Sequence, residues 1–186
     1  MNRIALLALL ASFAFVVAGC GSPDEPPPPA DDRAPAAERA EPAEPAEPAD
    51  AAPADDDGVA RVRIGSNDQM QFDTREFTVQ AGQEVELTLE HTGRMPVGAM
   101  GHNVVIIEPG LDVMAFGSEA VQQGASRDNQ YVPEAVRDRV IAFTDIIGGG
   151  ETTSITFTAP DEPGEYPFLC SFPGHFGSMN GKMIVR

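Results

Sequence analysis

The chain has 186 residues and a formal net charge of −17, with twelve Lys and Arg against twenty-nine Asp and Glu. With that balance, no basic patch suggests a nucleic-acid partner. Two cysteines and three histidines leave little material for disulfides or for more than one transition-metal centre.

The first twenty residues read as an address. Arg3 is a positive start, and Ile4 to Val17 is an apolar run shorter than a membrane span requires. Val17-Ala18-Gly19-Cys20 closes it. The segment resembles a bacterial lipoprotein signal, in which the cysteine is acylated and becomes the first mature residue. Residues 1–19 are therefore expected to be a signal peptide and Cys20 the lipidation site. Stable attachment needs more than one acyl chain, since a single chain gives marginal binding. Gly21, rather than Asp, follows the cysteine. By resemblance to known sorting signals this favours the outer membrane, with the protein on its periplasmic side.

Residues 20–58 are expected to form a lipidated cysteine plus a disordered tether. Beyond Cys20 they are almost entirely Pro, Ala, Asp and Glu, with a proline run at Pro26–Pro29 and a repeated Glu-Pro-Ala unit starting at Glu41, Glu44 and Glu47. No apolar period exists there to build a core. Twelve acids face two arginines over residues 21–58, so charge repulsion and proline stiffness both extend the chain. Fully extended it would reach about 120 Å, and as a flexible coil about 35 Å. Its charge would keep it off an anionic lipid surface.

Residues 59–186 are long enough for one domain. Short runs dominate: Glu76–Val79, Glu84–Glu90, His102–Ile107, Val140–Thr144, Thr152–Thr158, Gly164–Leu169 and Lys182–Arg186. Turns separate them at Ala81-Gly82, Gly148-Gly149-Gly150 and Pro163-Gly164. This spacing predicts an all-β sandwich or barrel. One helix is predicted, over Asp112–Gly124, from the apolar spacing of Val113, Met114, Phe116, Ala120 and Val121.

Chemistry concentrates near the C-terminus, where Cys170, His175 and Met179 share one loop with four and then three residues between them, and His102 can complete the set from another strand. Two imidazoles, a thiolate and a weak thioether are the donor set of a blue-copper electron-transfer centre. Pro173 and Gly174 suit a short, stiff loop between two ligands. Gly101 has no side chain, so its carbonyl can approach the ion. If Cys20 carries lipid, Cys170 has no disulfide partner in an exported protein, and coordination gives the lone thiol a reason to persist. Zinc is the chemical competitor for a Cys/His₂ site. The thioether in the fourth position and the lack of Asp or Glu in the loop argue against a catalytic zinc.

These residues resemble azurin, together with Asn67-Asp-Gln-Met-Gln-Phe72, Met100-Gly-His-Asn103, Arg139-Val-Ile-Ala142 and Ile147-Gly148. The resemblance covers residues 65–186, and with the signal and the Ala/Glu/Pro repeat the chain looks like a lipid-modified azurin. It implies an eight-stranded Greek-key sandwich (cupredoxin) with one short flanking helix, and one type 1 copper ion. It implies His102, Cys170 and His175 as strong ligands, Met179 as the weak axial ligand and the Gly101 carbonyl opposite it. Asn103 and the backbone N–H of Phe172 would donate hydrogen bonds around the thiolate and tune the potential. Met70, Met95, Pro96, Met100, Phe172 and Pro173 would form an apolar docking patch around His175, the expected electron port.

The function implied is a membrane-tethered, monomeric electron carrier. Its partners would be redox proteins such as c-type cytochromes or copper and haem reductases. Departures from the family are the missing structural disulfide, the absence of Trp, and Phe143 where a histidine is common. His91 matches a pH-responsive family histidine, with a satisfied buried histidine as the alternative. Phe176 and Ser178 alter the surroundings of His175. Two other functions compete. A copper-buffering module would need exchangeable metal rather than one tight site. A copper oxidase or nitrite reductase would need a second copper site, for which only His91 is spare.

Overall fold

The computed structural model describes residues 58–186. The expected signal peptide, Cys20 and the tether lie outside the described residues.

Strand β1 (Ala60–Asn67) runs parallel to β4 (Glu84–His91), which pairs antiparallel with β7 (Thr152–Thr158). The two-residue β2 (Gln71–Phe72) folds back on β1, giving a sheet of order β2-β1-β4-β7. The second sheet holds β3 (Glu76–Val79), β9 (Asn180–Val185), β8 (Gly164–Leu169), β5 (Val105–Ile107) and β6 (Val140–Phe143), in that order. The pairs β1 with β4 and β3 with β9 are parallel, among otherwise antiparallel neighbours, so the chain must cross between the sheets to form them.

Alternation explains the layering. On β4, Val85, Leu87 and Leu89 are fully buried while the residues between them are half-exposed. Ala60, Val62 and Ile64 of β1 do the same beside them. From the other sheet comes Phe168, its ring 5.8 Å from those of Phe72 and Phe77. A smaller core lies under helix α2 (Val113–Gln122), where Phe116 and Ala120 meet Val105, Ile107 and Leu169. Asp112 caps this helix, its side chain accepting from the Ala115 N–H at 2.8 Å.

The all-β sandwich is as expected, with three refinements. There are nine strands among the described residues rather than eight, counting the two-residue β2. A one-turn helix α1 (Val97–Met100) and 3₁₀ turns at Arg127–Asn129 and Glu134–Arg139 join the flanking helix. The run predicted from His102 shrinks to Val105–Ile107. The Thr144 hydroxyl accepts the Val104 N–H at 3.0 Å, and the Asn103 side chain turns toward Ser171. The chain thereby leaves the ladder early, and His102 keeps only a single bridge to Ile147. Strand β1 has no counterpart among the predicted runs, although Arg61 and Arg63 alternate cleanly with its buried residues.

Candidate metal centre

A ten-residue loop, 170–179, joins β8 to β9. The Cys170 N–H donates to the Met179 carbonyl at 2.9 Å, closing the loop at its base. Within it, the His175 N–H donates to Phe172 at 3.0 Å, and the His175 carbonyl accepts from Met179 at 2.8 Å and Ser178 at 3.0 Å. Gly174 supplies the sharp turn with φ +87°, a region that disfavours L side chains. Two nested turns thus hold His175 over Cys170. His102 approaches from the opposite side, exchanging both backbone hydrogen bonds with Ile147 at 2.9 Å.

The donor atoms converge. Cys170 Sγ lies 3.7 Å from His175 Nδ1 and 3.9 Å from His102 Nδ1, and the two nitrogens are 3.3 Å apart. These ligand atoms all lie within 4.8 Å of one another. His102 Nε2 is 2.9 Å from the Asn67 carbonyl, which fixes it as the protonated nitrogen and turns the Nδ1 lone pair toward Cys170. The Gly101 carbonyl sits 3.8 Å from Cys170 Sγ. A Cβ on Gly101 would come within 2.6 Å of the Val97 carbonyl and 3.1 Å of the Phe172 ring, so a bare residue is needed there. Met179 is fully buried in the same apolar cluster as Cys170.

Burial sets the protonation states. The Cys170 thiol is pushed up to about 11 by burial, against the backbone N–H groups of Asn103 and Phe172, which favour the anion. His102 is pushed down to about 4, first by burial and less by the neighbouring imidazoles, with the Asn67 and Gly101 carbonyls opposing. Burial likewise holds His175 below the ordinary imidazole value. At neutral pH the cluster therefore offers two neutral imidazole lone pairs and a thiol whose anion lacks a counter-charge. Two nitrogens and one sulfur, buried and converging, fit a soft or borderline cation.

The surroundings are ordered. The Asn103 side chain accepts the Ser171 N–H at 2.9 Å and donates to Ser171 Oγ at 2.9 Å and to the Gln130 carbonyl at 2.8 Å, tying the two ligand-bearing segments together. His91 stacks on His102 with ring centroids 4.3 Å apart. It is buried, lies 3.1 Å from the Met100 carbonyl through Nε2, and accepts the Gly93 N–H at Nδ1. Of the patch residues, Met70 and Met95 are 36% and 39% exposed, Pro96 and Pro173 are exposed, and Met100 and Phe172 half-buried. His175 itself is only 4% exposed. Sequence reasoning assigned no role to the Asn67 carbonyl, to Ser171, or to Gln130 and Tyr131. The Tyr131 ring lies 4.9 Å from that of Phe172.

Known proteins to which the chain is similar bind copper. The model of the copper-binding plastocyanin/azurin family matches residues 59–186. An azurin of Alcaligenes faecalis is 44% identical over 123 residues, 64% of this chain and 93% of that protein. Outer membrane protein H.8 of Neisseria meningitidis serogroup B is 42% identical over 186 residues, 97% of this chain and 98% of its own length. Among solved structures, dithionite-reduced auracyanin from the photosynthetic bacterium Roseiflexus castenholzii superposes with a TM-score of 0.59 at 37% identity. That match covers 68% of this chain and 96% of the auracyanin.

Proposed function

For a chain that belongs to the plastocyanin/azurin family of copper-binding proteins, we infer a single-electron carrier that works while tethered to the periplasmic side of the bacterial outer membrane. The family binds one type 1 copper ion, and His102, Cys170 and His175 are its strong ligands here. Met179 would add a weak thioether contact to the ion, and the Gly101 carbonyl a weaker one. Bound copper supplies one-electron chemistry between Cu(I) and Cu(II).

The protein's own part is to hold the donors still. The single observation that carries the reading is the convergence of three buried donor atoms within 4.8 Å. Loop 170–179 is braced at its base, and His102 is pinned between Ile147, Asn67 and the face of His91. Ligands fixed in this way need little rearrangement when the charge at their centre changes. The N–H groups of Asn103 and Phe172 favour a negative sulfur and so tune the potential. His175 is the port, and Met70, Met95, Pro96, Met100, Phe172 and Pro173 surround it with apolar surface. Such a patch suits the small, short-lived interfaces of redox encounters. Its partners are redox proteins such as c-type cytochromes or copper and haem reductases.

Attachment rests on the N-terminal sequence. Cys20 ends a lipoprotein-like signal, and the acidic Pro/Ala/Glu stretch to residue 58 supplies reach. The H.8 relative, named an outer membrane protein, aligns over 97% of this chain, including that stretch.

The test is a visible absorption and electron paramagnetic resonance (EPR) spectrum of the full-length protein after Cu(II) is added, beside Cys170→Ser. An intense blue band with narrow copper hyperfine splitting, absent from the variant, supports the assignment. A colourless protein that retains zinc instead overturns it. For the tether, Cys20→Ser is expected to move the protein from the membrane fraction to the soluble one. An unchanged fractionation removes the anchor from the proposal.

A further inference from the structure

The segment between α2 and β6 touches the metal centre at two points without supplying a ligand. It contains two consecutive non-glycine residues in the left-handed region, Gln130 at φ 56° and Tyr131 at φ 59°. An L side chain there carries a steric cost, and such residues persist where their surroundings over-determine them. Gln130 ends the 3₁₀ turn Arg127–Asn129, its N–H donating to the Arg127 carbonyl at 3.1 Å. One left-handed residue is enough to end a turn. The second carries the chain round until the Tyr131 ring meets Phe172.

Each residue forms one arm of a clamp. The Gln130 carbonyl accepts from Asn103 Nδ2 at 2.8 Å, and its side-chain Oε1 accepts the Ile146 N–H at 2.7 Å. Asn103 follows His102 and Ile146 precedes Ile147, and His102 and Ile147 are the two halves of the bridge that carries the first imidazole. Gln130 therefore grips both sides of that bridge. The Tyr131 arm reaches the other ligands. Its ring lies 4.9 Å from Phe172, whose ring lies 4.6 Å from His175 and whose N–H favours the Cys170 thiolate.

Resting on the copper reading above, we propose that Gln130 and Tyr131 are positioning residues for the metal centre, a left-handed two-residue kink that sets His102 through one arm and the Phe172–His175 ring pair through the other. Without the Tyr131 ring, Phe172 gains room to turn. His175 then loses its lateral support, and the Phe172 N–H its aim at the sulfur. The bland alternative is a loop cap that stabilises the fold and leaves the centre alone.

Full-length Tyr131→Ala, Tyr131→Phe and Gln130→Gly proteins loaded with Cu(II) separate the two. The readouts are the EPR hyperfine splitting and copper affinity against a competing chelator. Tyr131→Ala is expected to change the splitting and weaken affinity at least about tenfold, the scale seen when outer-shell partners are removed. Tyr131→Phe is expected to restore both, because the ring rather than the hydroxyl makes the contact. Gln130→Gly keeps the carbonyl but loses the Ile146 bond, and is expected to change the splitting in a protein that remains folded. A wild-type spectrum and affinity in Tyr131→Ala, with only thermal stability reduced, would overturn the proposal. If Tyr131→Ala does not fold, Gln130→Gly decides by the same two readouts. Failure of the copper reading itself would look different, since the wild-type protein would then give no thiolate–copper spectrum.

Discussion

The body of the sandwich and its ligand-bearing end are held by different forces. In the body, buried side chains are almost all apolar, with Val85, Leu87 and Leu89 of one sheet against Phe168 and Met183 of the other. At the ligand end His91, His102, Asn103, Thr144, Ser171 and His175 are all buried. Their hydrogen bonds span long stretches of chain, 68 residues from Asn103 to Ser171, 40 from Thr144 to Val104 and 35 from His102 to Asn67. Among the described residues no buried side-chain nitrogen or oxygen lacks a partner. Apolar burial is non-directional and scales with area. Hydrogen bonds are directional, and leaving one unmade in a dry site is costly. The body can therefore set how stable the domain is, while the ligand end sets where atoms lie. Substitutions in the two regions should separate stability from geometry.

The largest loss of stability is expected in the body. Phe168 is fully buried between Phe72 and Phe77. Phe168→Ala should cost about 3–5 kcal/mol in urea denaturation, while the fraction that remains folded keeps the wild-type copper spectrum. A changed spectrum in that folded fraction would show that the two regions are mechanically coupled.

Next comes the pH dependence of the metal-free protein. An unfolded imidazole titrates near 6.5, whereas His102 is held at about 4 in the fold. Between those values the unfolded chain binds more protons, so the His102 contribution to stability falls as pH drops through that window; below it the depressed carboxyls of Asp68, Asp73 and Glu119 continue the loss. The His102 part of the acid flank should amount to about 3 kcal/mol, with His175 shifting in the same direction. Cys170 makes the alkaline flank. Its thiol ionises near 9.0 when exposed and near 11 in the fold, so above 9 the unfolded chain loses its proton first and stability falls again. Denaturation midpoints measured from pH 3 to 11 should therefore show a plateau between the two flanks. A profile without an acid flank would mean that water reaches His102 in the metal-free state.

Asn103 tests the other side of the contrast. Asn103→Ala leaves the buried Ser171 N–H without its acceptor and the Gln130 carbonyl without its donor. The expected cost is about 1–3 kcal/mol, no more than the Phe168 change. Unlike that change, it should move the reduction potential and the copper spectrum. An unshifted potential would mean that the backbone alone holds the ligand segments in place.

The two regions also differ in how openly the sequence displays them. Strands β3, β7 and β8 coincide with their predicted runs; in β7 the period-two alternation is a direct imprint of a half-buried strand, while β3 and β8 are marked by their apolar residues between turns. The gathering of Cys170 and His175 was legible because both sit on one short loop with turn residues between them, whereas His102 as the second imidazole came from the resemblance of Met100-Gly-His-Asn103 to the family's pattern. The atoms that aim these side chains were not. Asn67 acts on His102 through its backbone carbonyl, which any residue possesses. Gln130 and Tyr131 are neither Gly nor Asn, so nothing in their identity announces a left-handed backbone. Contacts over 68 residues of chain have no local pattern from which to be read.

The smallest effect is expected on the outer face of the body, farthest in kind from the ligand end. Lys182, the chain's single lysine, bridges Glu165 at 3.0 Å and Glu76 at 3.3 Å, linking β8 and β3 across β9. Its hydrogen bond to Glu165, then that to Glu76, raises its pKa. All three side chains are substantially exposed, so solvent screens the attraction and ordering a long side chain offsets much of it. Lys182→Ala should lower the melting temperature slightly in low salt and not measurably in high salt, because exposed pairs fade once the Debye length falls below their spacing. The copper spectrum should not move at all, since the triad has no hydrogen bond to loop 170–179. A large loss that persists in high salt would place Lys182 among the packed residues of the body, its aliphatic stem rather than its charge carrying the contribution.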